Sequence, residues 1–249
     1  MSKRILLLAA TLFVLAVGAA AADDHVKGPF AGTVHAVASL SDKDGNAISV
    51  TWDRGRITTL SSTSITLTRR DKQQVTFAIT SGTVVRNGGA TYQLSDLKTG
   101  LVATVLSQNG NAVVIRRIRG DGAPNGGDPS QFDGPAAKAI TGAVTALYVD
   151  GSTQSFDYNR GRIQSVGSGT LTLMRADHQS VTLSYDSNTL VREGDGKIGS
   201  VDDLKPGEAA GCFSQNGLLK LVRHLRPVPA PGAGGRRGPH TATPAVAAA

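Results

Sequence analysis

The chain reads as an all-β protein built from two tandem small antiparallel β-barrels, with a pair of small β-sandwiches as the alternative. Three observations predict this. A block of sequence recurs at a spacing of 106 residues, and apolar residues alternate over short runs bounded by turn residues. No segment keeps a helical hydrophobic period for three turns.

Taken from the N-terminus, residues 1–22 read as a secretory signal peptide. Lys3 and Arg4 supply the positive segment, Ile5 to Val17 the apolar run, and Gly18 to Ala22 the small-residue exit. The run of about 13 residues is short of the roughly 20 that a membrane-crossing helix needs. Cleavage after Ala20 or Ala22 is expected. It leaves a periplasmic or secreted protein with no integral membrane segment. Removing Lys3 and Arg4 takes two charges from the net +7 of the whole chain. The modest excess that is left favours solubility and weak attraction to anions. Cys212 is the only cysteine, so no intrachain disulfide is possible and burial alone must stabilise each unit. Its Ala-Ala-Gly-Cys-Phe context predicts a buried, inert thiol.

The repeat is carried by Arg54-Gly55-Arg56-Ile57, which returns as Arg160-Gly161-Arg162-Ile163. From position 54 to 88 roughly half the positions are identical without a gap. One inserted residue then moves the offset to 107, so that Ser107-Gln108-Asn109-Gly110 becomes Ser214-Gln215-Asn216-Gly217. Upstream, Gly32-Thr33-Val34 is matched to Gly142-Ala143-Val144, with a longer connection in the first copy. The units are therefore a first barrel over 29–119, a flexible linker over 120–135 and a second barrel over 136–226. Residues 227–249 form a Pro/Gly/Ala-rich tail expected to be disordered.

Within a unit, strands are expected near 32–39 and 47–60. A hairpin follows, with Ile65, Leu67, Val75, Phe77 and Ile79 inward and threonines outward. The second copy repeats it with Leu171, Leu173, Val181, Leu183 and Tyr185. Leu94–Leu97 and Val201–Leu204 are the only candidate helical turns, with Ser95 and Ser200 as cap or turn residues. Asn109-Gly110 and Asn216-Gly217 mark the last hairpin of each unit, because both residue types tolerate positive φ. About six antiparallel strands per unit shed their edges most simply by curling into a barrel.

These residues carry a resemblance. Thr66-Leu67-Thr68, Val75-Thr76 and Leu94-Ser95-Asp96-Leu97-Lys98-Thr99-Gly100 recur as Thr172-Leu173, Val181-Thr182 and Val201-Asp202-Asp203-Leu204-Lys205-Pro206-Gly207. Each repeat resembles the exported bacterial small-barrel domains grouped as domain of unknown function 5666. The resemblance implies an OB-like barrel, and it brings no established activity and no catalytic residues. Glu208-Ala209-Ala210 departs from Leu101-Val102-Ala103, which predicts a weaker penultimate strand in the second copy.

Among the chemistry-bearing side chains, arginine is the one whose pattern recurs most often. The five histidines are scattered, with no two at ligand spacing, so no metal site and no cofactor is expected. Asp71/Asp177 and Asp96/Asp203 sit in turns, where Asp caps backbone N–H groups. No nucleophile elbow and no phosphate-binding glycine loop is present. Arg54, Arg56, Arg69, Arg116 and Arg119 recur as Arg160, Arg162, Arg175, Arg223 and Arg226, and they are the candidate anion contacts. Aromatic residues make up 4% of the chain, which disfavours the stacking platforms of single-strand nucleic-acid readers. The resulting expectation is a non-enzymatic exported binding or spacing module whose partner is an anionic glycan or envelope protein. A hydrolase acting on an envelope polymer and a purely structural envelope protein are the alternatives. The sequence carries no signal for oligomeric state.

Overall fold

The computed structural model describes residues 28–87, 90–118, 132, 134–193 and 198–225. Among them the regular elements are β-strands and short turns of 3₁₀ helix, and no helix is long and apolar enough to cross a membrane. The expected signal peptide and tail lie outside the described residues, as does most of the linker.

The first repeat contains β1 (Thr33–Ser41), β2 (Ala47–Leu60), β3 (Ser64–Arg69), β4 (Gln74–Ala78), β5 (Val84–Asn87) and β6 (Ala90–Tyr92). A 3₁₀ turn at Leu94–Asp96 leads to β7 (Val102–Gln108) and β8 (Asn111–Arg117). The second repeat opens with a 3₁₀ turn at Gly134–Lys138 and continues through β9 (Thr141–Tyr148), β10 (Thr153–Gly167), β11 (Thr170–Arg175) and β12 (Ser180–Ser184). It ends with β13 (Leu190–Arg192), β14 (Ile198–Gly199), a 3₁₀ turn at Val201–Asp203, β15 (Ala209–Gln215) and β16 (Leu218–Leu225). β15 is as long as β7, seven residues each, despite the departure at Glu208-Ala209-Ala210.

Each repeat folds five strands into a ring. β2 pairs with β3, β3 with β4, β8 with β7, and β7 returns to β2, all antiparallel. The ring is completed by a short parallel contact between β4 and β8, where the Ala78 amide donates to Gly110 O at 3.0 Å. In the second repeat β10, β11, β12, β16 and β15 make the same circuit, completed by the Ser184 amide donating to Gly217 O at 3.0 Å. The expectation of purely antiparallel pairing is thus corrected: β8 also runs parallel to β5, and β16 to β13. Closure falls on the Asn-Gly hairpins, whose residues take the left-handed conformation that tightens the turn (φ 50 and 77 in the first, 51 and 76 in the second).

Gly55 and Gly161 make the corner. A Cβ on Gly55 would lie 2.6 Å from Thr68 O, and one on Gly161 2.3 Å from Met174 O. A side chain at the centre of Arg-Gly-Arg would push the crossing strands apart. Beyond that corner β2 changes its allegiance. Ile57 points into the barrel, while Ile48, Val50 and Trp52 face a different core.

That core joins the repeats. β1 pairs antiparallel with β9 along its length, so the strands of both repeats belong to one 16-stranded sheet. Each barrel holds its own apolar cluster, around Ile65, Leu67 and Ile115 in one and Leu171, Leu173 and Leu219 in the other. A third cluster lies between them, built from Val50, Trp52, Leu106 and Val114 together with Phe156, Tyr158, Phe213 and Leu221. The expectation of two separate barrels on a linker is corrected here. The physical reason is that the outer face of β7, β8, β15 and β16 is apolar and must be covered. The far end of the linker shares in that cover. Phe132 meets Tyr158 edge-on at 4.7 Å, and a Cβ on Gly134 would lie 2.7 Å from Val113.

The ladders also correct the upstream alignment. His35 pairs with Asp53, and Asn159, the counterpart of Asp53, pairs with Thr141. The offset of 106 therefore runs back through the first hairpin without a gap. Asp44-Gly45 and Asp150-Gly151 sit in equivalent turns.

Candidate anion-contact face

The candidate arginines divide into three groups. Arg69 and Arg175, at the ends of β3 and β11, are braces. Arg69 Nη1 donates to Asp53 Oδ1 at 2.9 Å, while Nε and Nη2 grip both oxygens of Asp71 at 3.1 and 2.8 Å. Arg175 repeats the arrangement with Asn159 at 3.1 Å and Asp177 at 3.1 and 2.6 Å. Asp53 is only 2% exposed, and it also accepts a hydrogen bond from His35 Nδ1 at 2.9 Å. Burial works against ionisation of Asp71, yet the Arg69 guanidinium and the Gln73 amide hold its carboxyl below the ordinary value. The Arg175 guanidinium does the same for Asp177. As predicted, these aspartates also cap turns: Asp71 accepts from the Gln73 amide and Asp177 from the Gln179 amide.

Arg56 and Arg162 form the second group. Both are exposed. Arg56 Nη1 donates to Gly100 O, and Arg162 Nη1 donates to Gly207 O at 3.0 Å, so each guanidinium ties the start of the penultimate strand to the corner. One carbonyl occupies one of five N–H donors, which leaves donors on each guanidinium facing solvent.

The third group is assembled only by strand register. Arg54 pairs with Thr104, Thr104 with Arg116, and Arg116 with Arg86. This makes a row across β2, β7, β8 and β5. The second repeat has Arg160, Gly211, Arg223 and Arg192 in the same order. Neighbouring strands lie about 4.8 Å apart, so three arginine Cα atoms fall within about 15 Å in each row. The rows border the inter-repeat core. Arg160 Nη1 donates to Ala137 O in the 3₁₀ turn that covers this core. Arg54, Arg116, Arg192 and Arg223 are also partnered within the chain, and Arg192 is buried. The Nε–H of Arg86 is buried without a hydrogen-bond partner. Arg119 and Arg226 lie outside the described residues.

Residues 54–115 and 160–209 match the family described as Domain of unknown function (DUF5666). The chain carries two DUF5666-family regions in tandem. No curated protein and no solved structure matches it. The first DUF5666 region opens at Arg54 and ends in β8 one residue before Arg116, so it takes in most of the ring. The second runs from Arg160 to the first residue of β15. β1 and β9 lie outside both DUF5666 regions.

Sequence reasoning missed Arg86 and Arg192 as members of the rows. Their recurrence was visible, but the contacts that align them with Arg116 and Arg223 join strands about 30 residues apart in sequence. It also missed His224, whose Nδ1 is 2.6 Å from Glu193 and whose Nε2 is 3.4 Å from Glu208. The carboxylates sit at opposite nitrogens of the ring and tie the ends of three segments together. They do not converge on one point as metal ligands must. Among the described residues no group of three or more His, Cys, Asp or Glu side chains is placed to hold a metal ion. Burial pushes the Cys212 thiol up to about 12, which leaves it protonated and unreactive.

Proposed function

We propose that this is a non-enzymatic, exported binding or spacing module, periplasmic or secreted, whose two OB-like barrels present matched arginine-bearing faces to an anionic envelope polymer or an acidic envelope protein. The ring order supports the OB-like reading: numbering only the five ring strands in chain order, they run 1-2-3-5-4 and back to 1, with the third and fifth parallel. The observation that carries the functional reading is the recurrence of the same arginine pattern on two barrels held in one sheet. Two weak sites at a fixed separation bind a repeating ligand far more tightly than either site alone. Arg56 and Arg162 are the contacts to test, because both are exposed and carry donors beyond the one that each gives to a carbonyl. Nucleic acid fits less well, since Trp52, Phe77, Phe156, Tyr158 and Phe213 are spent inside the cores.

The test compares wild type with an Arg56→Ser/Arg162→Ser variant on immobilised sulfated polysaccharide and on polyglutamate, across a salt series. Wild type is expected to be retained at low salt and released as screening rises, and the variant to elute at distinctly lower salt on at least one matrix. Equal elution of the two proteins on both matrices would sink the anion reading.

A further inference from the structure

We propose that the β1–β9 ladder is a self-recognition surface, an interface that holds the repeats together without needing the peptide link and that will accept the complementary repeat of a second copy of this chain. The proposal stands apart from the anion reading, because it uses no arginine of the rows.

β1 and β9 are counterparts in the duplication, and they pair with each other, Ala38 directly opposite its own counterpart Val144. From that point the ladder is symmetric: Val37 faces Thr145, and Ser39 faces Ala143. An element meeting its own equivalent antiparallel is the mark of an isologous contact, the kind that joins identical subunits about a two-fold axis.

The core under the ladder draws mostly on equivalent pairs, each taking one residue from each repeat: Phe30 and Ala136, Leu40 and Ala146, Val50 and Phe156, Trp52 and Tyr158, Leu106 and Phe213, Val114 and Leu221. Ala36, Ile48, Ala139 and Tyr148 join it without their counterparts. An interface between unrelated domains would have no reason to draw on the same positions twice. The approach is also close. A Cβ on Gly142 would lie 2.3 Å from Ser39 O. Across the interface Phe30 packs on Phe156 and Phe213 at centroid distances of 4.8 and 5.1 Å.

The ladder is symmetric from His35–Leu147 to Ser41–Thr141, and equivalent residues make up most of the core beneath it, so the connection between repeats serves mainly to raise their effective concentration. Tethering two partners does this, to about the millimolar level for short linkers. Intact chains therefore pair their own repeats and outcompete exchange. Once the link is cut, each repeat is free to choose a partner from another copy.

The experiment inserts a specific protease site between Gly126 and Gly127 of the full chain. The uncut variant is first shown to unfold at the wild-type denaturant midpoint. After native cleavage, the two halves are expected to co-elute at the mass of the intact chain. Two cleaved samples, one uniformly isotope-labelled, are then mixed, unfolded and refolded together. Native mass spectrometry should show the mixed pairs rising to the statistical half of all particles. Halves that separate on cleavage overturn the proposal, and halves that stay together but never reassort overturn it equally.

Discussion

Asp53 shows how one side chain can hold two elements and why its replacement depends on chemistry more than on size. It is buried between the Arg69 guanidinium and the His35 ring, and its counterpart Asn159 offers the same oxygen to Arg175. Asp53→Leu removes the acceptor and leaves Arg69 with Asp71 alone. Breaking a buried pair in this way costs about 3–5 kcal/mol. Asp53→Asn keeps the acceptor, as the second repeat does, and is expected to cost no more than about 1 kcal/mol. Urea unfolding of the two variants checks this. Equal loss in both would mean that charge, and not the hydrogen-bond acceptor, is what the site needs. Both arginines of the motif around Gly55 and Gly161 were legible in the sequence as candidate contacts. Their division into exposed corner ties and row members was not, because it depends on which carbonyls and strands come near them.

At the scale of the strand, the glycine of Arg-Gly-Arg decides whether β2 and β10 can serve two cores. Each strand is long, 14 and 15 residues, and each leaves the inter-repeat sheet for its barrel at the glycine. Gly55→Ala and Gly161→Ala put a methyl group against backbone oxygens, which cannot move like the end of a flexible side chain. Each is expected to destabilise the protein by roughly 1–3 kcal/mol. Chemical denaturation with and without the substitutions measures it, and an unchanged midpoint would show that the strands part at no cost. The 3₁₀ turns were also readable. Asp96 accepts from the Gln93 amide and Asp203 from the Ser200 amide, both at 3.0 Å. Ser200 occupies the N-cap as predicted, whereas in the first repeat Gln93 holds that place and Ser95 lies inside the turn. The serines looked equivalent because the insertion between copies shifts the alignment just upstream.

The molecule as a whole is expected to unfold as one unit. Phe213 of the second repeat is fully buried against Phe30 and Tyr158 in a core that also contains Trp52 and Val50 of the first. Neither barrel can lose its structure without exposing that shared surface. Calorimetry should give a single transition, and Phe213→Ala, at a cost of about 3–5 kcal/mol, should shift that transition without splitting it. Two resolved transitions in wild type would show that the barrels are energetically independent. The sequence by itself determined the β class, the duplication, the turns and the inward faces of each barrel, because these are local: alternation, turn residues and repeated spacing act within a few positions. Only the tertiary structure decided that the repeats share a sheet and a third core, and that arginines from distant strands fall into rows. Those outcomes depend on which apolar outer faces find each other, and a strand's own sequence does not specify its partner.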